Sequence, residues 1–139
     1  MRAAEGRVSD PEALRQRVLA RLEEQRQLVQ ALLALREQLP GSLFARYGVC
    51  GKPSCACQLG HKHGPYYVLS TRSGGRGGFA YLESKQVREA RALVARFREF
   101  RRGLARLRRL NEELVGLLKR YQSAQARRAG ARVGLSASA

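Results

Sequence analysis

Cys50, Cys55, Cys57 and His63 fall within fourteen residues, in the run CGKPSCACQLGHKHGPYY, and the chain has no other cysteine. Four nitrogen and sulfur ligands are what Zn²⁺ takes in a closed tetrahedral structural site. The spacing C-x4-C-x-C-x5-H lets every ligand come from one turn and the strand that follows it. Thiolates bind zinc once deprotonated, and the metal itself lowers their pKa. Gly51 offers a tight turn that aims backbone N–H groups at a sulfur, and Pro53 fixes the chain between the first two ligands. His61 competes for the fourth position; His63 is preferred because the turn signal Gly64-Pro65 follows it directly. The expectation is one structural Zn²⁺ held by Cys50, Cys55, Cys57 and His63.

Other uses of the cysteines fit less well. A disulfide leaves an odd thiol, and no N-terminal apolar signal segment precedes the cluster, so a reducing cytoplasm is expected. Three buried free cysteines do not belong among Gly, Lys and Ser. A catalytic zinc keeps an open position with an acid or base nearby, but no carboxylate occurs between Glu37 and Glu83. Neither a GxGxxG, a P-loop nor a nucleophile elbow is present. The chain is not expected to be an enzyme.

At 139 residues, with 27 Lys+Arg against 11 Asp+Glu and a net charge of +16, the chain reads as one modest, very basic domain. It has no apolar run long enough to span a bilayer. Charge on this scale calls for a polyanion or an acidic protein partner. The imbalance grows along the chain, from +1 over residues 1–43 to +4 over 44–83 and +11 over 84–139.

Periodicity divides the chain further. Ser9-Asp10-Pro11 reads as a cap and first-turn proline after a flexible N-terminus, 1–10. A helix is predicted over 11–39, with Leu14, Val18, Leu22, Val29, Leu32 and Leu39 on one stripe, widened by Leu28 and Leu35, and Pro40-Gly41 ending it. Over 44–82 the chain is short and extended. Tyr66–Arg72 and Phe79–Leu82 form a β-hairpin around the glycine-rich Gly74–Gly78. Such a module, of about forty residues, buries too little apolar surface to stand alone. A structural zinc, with an apparent folding free energy of about 10–16 kcal/mol in finger peptides, would staple it. Ser84 caps a second helix over 84–122, with an interruption at Gly103, and 124–139 is predicted to be a disordered tail. The fold class is therefore α+β, with an N-terminal helix, a zinc-stapled hairpin and a long basic C-terminal helix inside one domain, 11–123.

On the second helix Val94, Phe97, Phe100, Leu104, Leu107, Leu114 and Leu118 share a face. Arg88, Arg91, Arg98, Arg102, Arg106 and Arg109 share another, within an arc of about 80°. The apolar face is expected to pack on the first helix, or on a second copy as a coiled coil, with Asn111 setting register. Few acids neutralise the arginines, and an uncovered row of like charge weakens a helix. On the hairpin, alternation sends Tyr66 and Tyr67 to opposite faces. An outward tyrosine flanked by Lys62, Arg72 and Arg76 could stack on an unpaired base, Tyr67 and Tyr81 being the candidates.

The runs Gly48–Cys57 and His63–Tyr67, followed by a basic helix to Leu110-Asn111-Glu112, resemble a small uncharacterised prokaryotic family. Its members carry a CGKPxCxC…HGPYY core between helices, and several are encoded near transposases and other mobile elements. The resemblance covers about residues 43–115. It favours His63 over His61 and implies no established activity. The leading expectation is a zinc-stabilised nucleic-acid-binding protein, DNA favoured over RNA, serving mobile-element or genome-maintenance machinery in the cytoplasm at the nucleoid. Lys52, Lys62, Arg72, Arg76 and the helix arginines would meet phosphates. The alternative is an adaptor that forms a homodimer or docks an acidic, transposase-like protein.

Overall fold

Asp10 opens the first helix: its side-chain Oδ2 accepts the Ala13 N–H at 3.1 Å, and Pro11 occupies the first turn, where its missing N–H costs nothing. In the computed structural model, which describes residues 10–73 and 76–135, the order is α1 (Pro11–Ala34), β1 (Ser42–Gly48), a 3-10 turn (Ala56–Leu59), β2 (His63–Ser73), β3 (Arg76–Leu82) and α2 (Ser84–Arg132). The α+β class holds. The chain divides into two compact units, residues 35–101 and, among the described residues, 10–34 with 102–135.

In the helical unit, α1 runs antiparallel to the second part of α2. Leu14 is buried against Leu117 and Ala124, with Val18 and Tyr121 beside them. Arg128 donates to Asp10 at 2.8 Å, and Arg21 to Glu113 at 2.8 Å. Further along, Gln25 donates to Asn111 and Arg106 to Glu24. Leu32 closes the series against Gly103, where an added Cβ would stand 2.2 Å from the Leu32 Cδ2. Gly103 therefore permits a close helix approach and does not interrupt α2.

The seam differs from the predicted stripes. On α1, Leu22 and Val29 are exposed while Leu14 and Leu32 are buried, and Arg21 and Gln25 occupy the middle. On α2, Leu104 and Leu118 are exposed, whereas Leu110, 0% exposed, and Leu117 are core positions absent from the expected face. Ion pairs and the amide pair occupy the middle of the seam between the buried leucines.

In the other unit, β1, β2 and β3 form an antiparallel sheet in that order. β2–β3 is the expected hairpin, with Val68 paired to Tyr81 and Ser70 to Phe79. β1 is an addition, pairing Phe44 with Val68 and Arg46 with Tyr66. Gly41 leads into it at φ +141°, where a Cβ would lie 2.3 Å from the Ser70 carbonyl oxygen. One sheet face carries half-buried Leu43 and Tyr67 with buried Leu69, and the same unit buries Val87, Ala90 and Val94 of α2.

Two boundaries and one cap differ from expectation. α1 stops at Ala34 and not at 39, because Arg36 turns left-handed at φ 51° and the Leu39 N–H donates to the Leu93 carbonyl at 3.1 Å. α2 begins with the Gln86 side chain accepting the Glu83 N–H at 2.9 Å, in place of a Ser84 cap. It continues through 124–132, where the composition predicts a disordered tail. Ala, Gln and Arg are good helix formers, and Ala124 and Arg128 both have partners on or next to α1. Gly134, at φ 79°, then ends the helix, with the Leu135 N–H donating to the Gly130 carbonyl at 2.8 Å. Residues 1–9 of the flexible N-terminus, Gly74-Gly75 of the glycine turn and 136–139 of the tail lie outside the described residues.

Candidate metal centre

The connection between β1 and β2 carries three candidate ligands and β2 supplies the fourth. Cys50 follows the end of β1, Cys55 precedes the 3-10 turn, Cys57 lies within it, and His63 opens β2 opposite Gly48. Their Sγ and ring nitrogen atoms all lie within 4.8 Å of one another. Cys50 and Cys57 sulfurs are 3.4 Å apart, and the Cys55 sulfur is 3.2 Å from His63 Nε2. Tetrahedral Zn–S bonds of about 2.3 Å set sulfurs roughly 3.8 Å apart, so the donor set and its separations fit a metal ion of that size. His61, the competing histidine, is exposed and stands outside this cluster.

Local hydrogen bonds explain why these residues converge. The Cys55 N–H donates to the Lys52 carbonyl at 3.2 Å, closing a turn through Pro53. Gly60, left-handed at φ 101°, caps the 3-10 turn as its N–H reaches the Cys57 carbonyl at 3.3 Å. Gln58 donates to the Cys50 carbonyl at 3.1 Å, and the Cys50 N–H points at the Cys57 sulfur at 3.4 Å. The N–H of Lys52 does most to lower the Cys50 thiol from its ordinary value of 9.0 to about 6, with Cys57 and His63 adding to it. Burial pushes the Cys57 thiol up, an effect that a bound cation reverses. Four protein donors close a tetrahedral shell, so the chemistry such an ion supplies here is cross-linking the β1–β2 connection.

Gln58 and Gly60 support the centre in roles the sequence reading does not anticipate, and Gly64 supports it in the turn that the sequence signals. A glycine two or three residues beyond the last cysteine is the signal available for the Gly60 cap.

The other expected site residues are scattered. Lys52 and Lys62 are exposed in the metal-bearing connection, and Arg88, Arg91 and Arg98 are exposed on α2 in the sheet-containing unit. Arg98 donates to the Ser42 hydroxyl at 3.4 Å. Arg102, Arg106 and Arg109 are exposed in the helical unit, where Glu24 neutralises Arg106. The side chains of Arg72 and Arg76 lie outside what the structure describes. Tyr67, expected outward as a stacking residue, is half-buried, and its neighbour Tyr66 is the exposed one, at 48%. No described helix is long and apolar enough to cross a membrane.

No curated protein and no solved structure matches the chain. The family described as a domain of unknown function, DUF6788, matches residues 16–92, a span that takes in most of α1, the whole sheet, all four metal-site residues and the start of α2. With more than half of its length matched, the chain belongs to the DUF6788 family.

Proposed function

We propose that the cluster holds one structural Zn²⁺ and that the protein is a basic nucleic-acid-binding protein, a DNA-binding accessory of mobile-element or genome-maintenance machinery. The observation that carries this reading is uncompensated charge. Arg88, Arg91, Arg102 and Arg109 are exposed on α2 and have no carboxylate partner among the described residues, on a chain of net charge +16. Phosphates are the natural complement to such unpaired guanidinium groups, and their neutralisation releases counterions. Thiolate ligands at this spacing favour zinc over harder cations.

Replacing Arg88, Arg91, Arg102 and Arg109 with Gln removes four charges and keeps good helix formers. Affinity for duplex DNA is expected to fall alike on all sequences. The log–log salt slope should flatten by up to about 0.9 for each phosphate no longer neutralised. An unchanged slope removes these arginines from the interface. A second reading, the adaptor or homodimer, is favoured by exposed Val115 and Leu118, which line an open groove with Tyr121 and Gln125. Under it the quadruple variant leaves any DNA binding untouched, and sedimentation detects a dimer that Leu118→Asp dissociates.

A further inference from the structure

The sheet face opposite Leu43, Tyr67 and Leu69 carries an aromatic cluster, with the helix arginine Arg98 reaching its edge at Ser42. Strand alternation and register place Phe44, Arg46, Tyr66, Val68, Phe79 and Tyr81 on it together. Val68, at the centre, is 2% exposed, but the rings around it are open: Phe44 42%, Tyr66 48%, Phe79 72% and Tyr81 64%. Phe44 and Phe79 meet edge to face, with centroids 6.5 Å apart. Arg46 donates to the Tyr81 hydroxyl at 3.3 Å, which keeps a guanidinium in the plane of the patch. Phe79 and Tyr81, two apart on β3, and Tyr66 and Tyr81, diagonal across β2 and β3, lie about 7 Å apart, so one extended strand can set successive bases on successive rings. A contiguous exposed apolar patch of this kind marks a binding surface.

Charge selects what covers it. Residues 42–82 contain Arg46, Lys52, Lys62, Arg72 and Arg76 and no carboxylate. The complement is a chain that offers flat π-faces and a negative charge at every step. A duplex keeps its base faces stacked inside, whereas a single strand presents them. Building on the nucleic-acid reading above, we infer that this face binds single-stranded DNA, with bases stacked on Tyr66, Phe79 and Tyr81 and a phosphate on Arg46. The surface differs from that of the helix arginines, which meet the backbone of either form.

The test uses the full-length, metal-loaded protein and a fluorescent oligodeoxythymidylate, with a duplex titrated in parallel by anisotropy. Tyr66→Ala, Phe79→Ala and Tyr81→Ala are each expected to weaken single-strand binding by roughly five- to a hundred-fold, leaving duplex affinity unchanged. Tyr66→Phe and Tyr81→Phe keep the ring and should bind close to the parent. Parent-like binding by the alanine variants overturns the inference while leaving the wider reading in place. A parent that binds neither single strand nor duplex overturns both. Oligouridylate held at least tenfold more tightly than oligodeoxythymidylate overturns the assignment to DNA, and ring variants that alter only the oligomeric state make the face a protein interface. If an alanine variant loses metal or helicity, photocross-linking of a bromodeoxyuridine oligonucleotide to the parent replaces it. Adducts on Tyr66, Phe79 or Tyr81 support the inference, and adducts confined to α2 overturn it.

Discussion

At Gly64, directly after the fourth ligand, φ is +135° and an added Cβ would sit 2.8 Å from the Arg46 carbonyl oxygen and 2.9 Å from the Tyr47 ring. A side chain there must displace β1 backbone at the point where the Gly48–His63 pairing sets the imidazole. Gly51, beside Cys50, has nothing within 4 Å of its own hypothetical Cβ. Gly64→Ala is therefore expected to cost about 1–3 kcal/mol through backbone strain and to weaken metal binding about tenfold, as measured by competition with a chromogenic chelator. Gly51→Ala should bind like the parent, and equal affinities for the two variants would separate Gly64 from the centre's geometry. At this scale the sequence is legible where chemistry is local. Thiols and one imidazole at short spacing are brought together by hydrogen bonds within the same short segment, and the histidine beside the Gly-Pro turn is the one that lies with the three cysteines. The outward tyrosine cannot be read in the same way. Alternation separates Tyr66 from Tyr67, but which face is covered depends on the rest of the unit.

The elements show a parallel division between local and non-local signals. The β2–β3 hairpin is legible from strand formers on either side of glycines, and α1 from its Asp10 cap. β1 is not, because Ser-Leu-Phe-Ala-Arg-Tyr-Gly has no clean alternation and becomes a strand by pairing with β2. The helix seam follows the stripes only in part, at Leu14, Leu32 and Leu114, for a related reason: Glu24, Gln25 and Arg21 look like solvent residues until Arg106, Asn111 and Glu113 stand opposite them. The hydrogen bond from Arg106 holds the Glu24 carboxyl below its ordinary value of 4.5. A depressed carboxylate contributes stability that is fully present above that ordinary value and is lost as pH falls through the lower folded one. The melting temperature of the helical signal is thus expected to drop on acidification below about pH 4.5. Glu24→Gln should reduce the part of that drop contributed by this pair, modestly, because the pair is exposed and screened. An identical acid profile in the variant would remove the pair from the account of the seam.

For the whole molecule, the two compact units rest on different physics. Residues 10–34 and 102–135 are held by leucines meeting along two helices and by ion pairs flanking them. Residues 35–101 have three strands with much exposed surface, and the buried candidate ligand Cys57 sits in the connection that a metal would cross-link. A sheet of this size needs a staple, and a metal that binds the folded form alone adds its binding free energy to folding. Chelation should therefore act selectively. Hydrogen exchange read peptide by peptide is expected to show β1, β2 and β3 losing protection after chelator treatment. Peptides from 11–34 and 104–132 should stay protected, and most of the helical circular dichroism should survive. Returning Zn²⁺ should restore the sheet, whereas Mg²⁺, which prefers oxygen ligands, should not. Cys55→Ser should reproduce the chelated pattern without chelator. Uniform loss of protection along the chain would instead mean that the two units fold as one cooperative body, and full retention would show that the sheet stands without the metal.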